Sequence, residues 1–157
     1  MSFSVPAKAE VKDMLGMLYS GLEVDDSDAL DLNSAELIFG LYIDDEDNPV
    51  TLLVCDISFG ANMGCGMTMI PAVVAKDALK SGKLEDMMIS NLNEVANIVS
   101  RLFMLGTEEH LRFATMHPVS DGLPDSVVEL LEKITKQAFF EVTPKGYGAG
   151  KVGFLSP

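Results

Sequence analysis

Six apolar residues, Leu84, Met88, Leu92, Val95, Val99 and Leu102, recur at intervals of 4, 4, 3, 4 and 3. That rhythm matches the 3.6-residue turn, so residues 84–105 read as an amphipathic helix with one face on a core. Gly106 supplies its stop. Ser90, Glu94, Asn97 and Arg101 lie opposite the apolar stripe. The first three stand at i, i+4 and i+7, within roughly 60° of one another on the helix surface.

A helix back that only meets water favours Glu, Lys, Gln or Arg. Here Ser90, Asn91, Asn93 and Asn97 are poor helix formers, which suggests a face selected for something other than helix stability. Glu94 has Ile98 at i+4 rather than a base, so its carboxylate is free to meet a partner. From the residues alone, a solvated helix back remains the alternative.

The rest of the chain supplies a sheet and further helices. Residues 7–22 read as a helix with Val11, Met14, Leu15, Leu18 and Leu22 on one face. The acidic stretch 24–34 reads as a loop; its aspartates lack the glycine and distal glutamate of a calcium loop. Residues 35–43 and 50–59 read as an antiparallel hairpin around the turn signal DDEDNP. GANMGCGMTMIP, with three glycines, reads as a turn leading into a third strand. Pro71 then opens a helix over 72–81, closed by Gly82. A strand at 111–116, a helix at 125–137 with Asp125 as its N-cap, and a terminal hairpin of 138–143 with 151–155 complete the order. Strands grouped in hairpins imply an α+β fold: a mixed, largely antiparallel sheet with long helices packed on one face.

At 157 residues, with 48% of them apolar, the chain suits one folded domain spanning 1–157. Acidic residues outnumber basic ones 24 to 11, a formal charge of −13, which argues against nucleic acid and anionic membranes as partners. No apolar run reaches the ~18 residues of a membrane span. The N-terminus lacks the layout of a signal peptide, which leads us to expect a cytoplasmic protein. Cys55 and Cys65 read as buried thiols. His110 and His117 have no companions for a metal site, and no serine sits in a nucleophile elbow. The ten methionines suggest a pliable core or an adaptable contact surface.

Ser90-x-x-x-Glu94-x-x-Asn97, followed by Pro118, resembles the signature of the CheC/CheX/FliY chemotaxis phosphatases. The segment CDISFGANMGCGMTMIP with the short helix after it resembles the elements that precede that signature. The similarity covers roughly residues 35–140. Only one Glu-x-x-Asn is present and the first helix carries no second, so the chain resembles the single-site CheX branch most.

The resemblance implies hydrolysis of the aspartyl phosphate on a CheY-type response regulator. Glu94 would dock against the regulator's active-site lysine, and Asn97 would orient the attacking water. Ser90 would be an accessory residue on the same face, and Arg101, a departure from the family pattern on that face, is a partner-binding candidate by its position alone. It also implies that magnesium is held by the regulator and no cofactor by this chain, and that a homodimer forms. The alternative is a non-catalytic signalling interaction module of the same fold.

Overall fold

A computed structural model describes residues 3–157; the first two residues of the N-terminal stretch lie outside the described ones. The elements run α1 (Lys8–Gly16), β1 (Glu23–Asp26), β2 (Ile38–Ile43), β3 (Pro49–Cys55), α2 (Ile57–Met67), α3 (Ala72–Ser81) and α4 (Asp86–Val99). A 3-10 turn (Ser100–Phe103) follows, then β4 (Arg112–Pro118), a second 3-10 turn (Val119–Asp121), α5 (Asp125–Lys133), β5 (Lys136–Thr143) and β6 (Gly150–Ser156).

The six strands form one sheet in the order β1-β5-β6-β3-β2-β4. Every pairing is antiparallel, including the β2–β3 and β5–β6 hairpins expected from the sequence. The class is α+β. The helical layer α1–α4 packs on one face, where Val11, Phe59, Ala75, Leu92 and Val95 meet Ile38, Tyr42, Leu53 and Phe154. The opposite face is also covered: Val127 and Leu130 of α5 pack on Phe39, Leu41, Leu52, Val54 and Leu155. Burial on both faces explains why β2 and β3 read as continuous apolar runs rather than alternating ones.

Five expectations are corrected, the briefest being that the last helix ends at Lys133 rather than residue 137, because Lys136 and Gln137 already pair with β6. The segment read as a turn into a strand is α2, and seven of its eleven residues, from Phe59 to Cys65, are buried. Its glycines are packing devices. Gly60 and Gly64 share a face at i and i+4, and a Cβ on Gly64 would stand 3.0 Å from the Cα of Met88, so its absence lets α4 approach closely. The acidic stretch 24–34 is not wholly loop, because Glu23–Asp26 pairs with β5 as an edge strand in which only Val24 is buried. Charges on such an edge discourage pairing with another chain. The first helix ends at Gly16 rather than residue 22. The N-cap of α5 is Pro124, which leaves Asp125 at the first helical position, where an acid still suits the helix dipole.

The boundary between β3 and α2 rests on Asp56. Its Oδ1 accepts the Phe59 N–H at 2.8 Å as an N-cap and the Lys151 N–H at 3.1 Å from β6. Burial nevertheless pushes the carboxyl above its ordinary range, against the lowering effect of those two donors. A raised folded value means that ionised Asp56 costs stability, and the cost appears as pH rises through the carboxylate range. Asp56→Asn keeps the acceptor and sheds the charge. The stability of that variant minus that of the wild type should therefore grow as pH rises through this range and then level off. Asp56→Ala should lie about 1–2 kcal/mol below Asp56→Asn at every pH, since two donors lose their acceptor while both variants shed the charge. Urea unfolding at several pH values measures both.

Candidate functional site

The site is built on α4. Met88, Leu92, Val95, Ala96 and Val99 are buried, which fixes the helix's rotation. Its C-terminal half is held from below. The buried Tyr42 of β2 donates its hydroxyl to the Ala96 carbonyl at 2.5 Å, and burial raises that hydroxyl's pKa well above normal. Phe103 and Phe113 flank the Tyr42 ring at centroid distances of 5.0 and 5.7 Å. Ser100 Oγ donates to the Asn97 carbonyl at 2.6 Å. The Asn97 carbonyl also accepts the Ser100 N–H, so the hydroxyl adds a second donor there, and both side-chain bonds tie down the last turn, where intrahelical donors run out.

With that rotation, Ser90, Glu94, Asn97 and Arg101 are all exposed. Among the described residues, none of the four side chains forms a hydrogen bond or ion pair within the chain. Ser90, Glu94 and Asn97 thus stand exposed on α4 at i, i+4 and i+7, and Arg101 follows them, also exposed, in the 3-10 turn. Two of the poor helix formers on this helix belong elsewhere. Asn91 ties α4 to α2 by donating to Gly64 O at 2.8 Å and Thr68 Oγ1 at 3.0 Å. Asn93 lies half-buried on the other flank. Pro118, at the end of β4, shares a cleft of about 380 Å³ with Ile89 and Leu92 rather than joining the exposed stripe.

Sequence reasoning missed what stands beside the stripe. Asn97 and Arg101 line a groove of about 530 Å³ together with Met14, Met17, Leu18 and Met104. Met14, Met17 and Leu18 recur at helical spacing from α1 into the turn after it. The sequence places Met14 and Leu18 on the core-facing side of the first helix and leaves Met17 off it. Leu18 is instead 39% exposed, and Met17 76%.

Other chemistry is sparse. Burial raises both Cys55 and Cys65, so neither thiol is poised as a nucleophile. His110 pairs with Asp45 at 2.9 Å, and His117 contacts Thr115 at 2.5 Å. No cluster of three or more His, Cys, Asp or Glu side chains able to hold a metal occurs among the described residues. No helix there is long and apolar enough to cross a membrane.

The chain thus presents an exposed Glu-x-x-Asn pair on a helix packed against a six-stranded antiparallel sheet. No protein-family model matches the chain, and no curated protein matches it in sequence. Solved structures do match. A chain of the FliG–FliM complex from H. pylori superposes with a TM-score of 0.53 at 10% identity, over 96% of this chain and 84% of that one. The FliM middle domain from H. pylori gives 0.50 at 11%, over 96% and 82%. FliY from Thermotoga maritima gives 0.50 at 11%, over 92% and 81%. At these identities the likeness is one of fold. The chain has the fold anticipated from its resemblance to the CheC/CheX/FliY phosphatases, and nothing singles out the CheX branch.

Proposed function

We propose that the chain is a phosphatase for an aspartyl-phosphorylated CheY-type response regulator in chemotaxis signalling. The observation that carries this reading is the pairing of Glu94 and Asn97, both exposed and unpartnered, less than one turn apart on a helix anchored by Tyr42 and Ser100. Glu94 docks against the regulator's active-site lysine, a charge-assisted contact that sets position. The Asn97 amide enters the regulator's site and holds a water in line with phosphorus. The water oxygen forms its bond to phosphorus as the aspartyl oxygen–phosphorus bond breaks. The electron pair returns to the aspartate carboxylate, and both of the water's protons leave with inorganic phosphate as dihydrogen phosphate. Magnesium held by the regulator neutralises charge on the phosphoryl oxygens.

Phosphoryl transfer needs positioning and charge stabilisation more than covalent help, so two well-placed side chains suffice. A neutral amide suits the task because it does not repel the phosphoryl group. Glu94→Ala should raise KM for the phosphorylated regulator by about 30-fold or more, the range for truncating one member of an interfacial charge pair. Its kcat at saturation should change far less. Steady-state kinetics separates the two, and a variant with wild-type KM would remove Glu94 from the docking role.

The likeness to a chain of the FliG–FliM complex favours a second reading, a non-catalytic interaction module of the same fold. Regulator binding with no acceleration of phosphate release would establish that alternative. A homodimer and a cytoplasmic location belong to both readings; sedimentation and fractionation test them.

A further inference from the structure

The stripe on α4 is too small to hold a folded partner by itself. From Ser90 to Arg101 it spans about 16 Å, and a face that long and ~10 Å wide offers only a few hundred Å². Specific protein–protein interfaces cover ≈ 800 Å² on each partner. More surface must engage, and the groove beside Asn97 adjoins the stripe directly because Asn97 and Arg101 line it too.

The groove combines apolar and cationic side chains. Met14, Met17 and Met104 are flexible and polarisable, suited to an irregular apolar side chain. Both arginines of a chain with net charge −13, Arg101 and Arg112, also line it. Arg112 is engaged, donating to Asp47 Oδ1 at 2.7 Å. Arg101 has no ion pair among the described residues. An apolar groove with a free guanidinium at its rim complements an apolar side chain that has a carboxylate beside it.

We propose that this groove is a second docking point for the same aspartyl-phosphorylated regulator. It takes one large apolar side chain of the regulator among the methionines and sets a neighbouring carboxylate on Arg101. This docking point rests on the reading of Glu94 and Asn97 as the regulator-facing pair. It also offsets the repulsion between an acidic chain and an acidic partner, because the cationic contact is local and screening leaves close pairs largely intact.

The test measures KM and kcat on the phosphorylated regulator for wild type, Met17→Glu, Arg101→Ala and Val128→Glu. Val128 is 43% exposed on α5, across the sheet from the groove, so its variant adds the same charge in the wrong place. The expected result is a KM raised about tenfold by Met17→Glu and severalfold by Arg101→Ala, against an unchanged KM for Val128→Glu. If wild type accelerates dephosphorylation and Met17→Glu keeps its KM, the groove is not a docking point, while the phosphatase reading survives. If wild type neither accelerates dephosphorylation nor binds the regulator, both fail. If Met17→Glu instead lowers the sedimenting mass of the free chain with KM unchanged, the groove joins two copies and the proposal is overturned.

Discussion

Asn97→Ala is expected to slow chain-stimulated dephosphorylation of the regulator by about 100-fold while leaving the fold intact. The size follows from what one amide is asked to do. Removing a single preorganised polar group at a reacting centre costs on the order of 10²–10³ in rate, and an unpositioned water forfeits most of the proximity advantage. The loss belongs in kcat, because the amide works on the water in the transition state rather than on regulator binding, which Glu94 and the groove provide. Stability should not fall. The Asn97 side chain is exposed and has no partner within the chain, and alanine is the better helix former. Asn97→Asp makes a sharper variant of nearly equal shape. It removes the N–H donors and brings a negative charge toward the phosphoryl group, so its rate should fall at least as far.

Gly150→Ala is expected to destabilise the chain by about 3 kcal/mol, lowering the unfolding temperature by roughly 6–12 °C. Gly150 opens β6 where that strand passes beneath the start of α2. A Cβ there would stand 2.2 Å from the Cα of Phe59 and 2.3 Å from its N. Those atoms are backbone, so no rotamer change relieves the clash and α2 itself must move. The movement would pull on a dense set of bonds: Asp56 to Lys151 N, Gly148 N to Asn62 Oδ1 at 3.0 Å, Ser58 Oγ to Ala149 O, and Tyr147 OH to Ile70 O at 2.6 Å. It would also disturb α4, which packs on α2 through Gly64. Gly16→Ala is the contrast, since nothing lies within 4 Å of a Cβ there. That variant should be neutral or gain up to about 1 kcal/mol from helix propensity. Thermal and urea unfolding of the two variants measures the difference.

The same glycines show where sequence reasoning stops. A helical glycine costs about 1 kcal/mol relative to alanine, so three glycines within seven residues argue for a turn on local grounds. In α2 that penalty is overridden by tertiary packing, because Gly60 and Gly64 let α4 come close, and no local pattern announces such an approach. β1 hides for a related reason. Glu23–Asp26 carries a single buried side chain and exists because β5 offers it a ladder. The helix α4 was legible because its stripe of six apolar residues leaves little choice of period. The strands β2, β3, β5 and β6 were legible from their β-branched and aromatic runs between turn residues. At the site, the shared orientation of Ser90, Glu94 and Asn97 followed from helical spacing alone, whereas Arg101 lies in the 3-10 turn beyond the helix. The groove did not, since it needs the turn after α1 to settle beside the end of α4, a long-range placement that periodicity does not encode.

The most direct measurement follows loss of phosphate from a phosphorylated CheY-type regulator, with magnesium present and this chain in substoichiometric amount. The rate should rise in proportion to chain concentration, with multiple turnovers per chain, and fall back to the regulator's own decay rate with Asn97→Ala. A wild-type chain that leaves the decay rate unchanged, or an Asn97→Ala variant as fast as wild type, would contradict the assignment of α4 as a water-positioning helix.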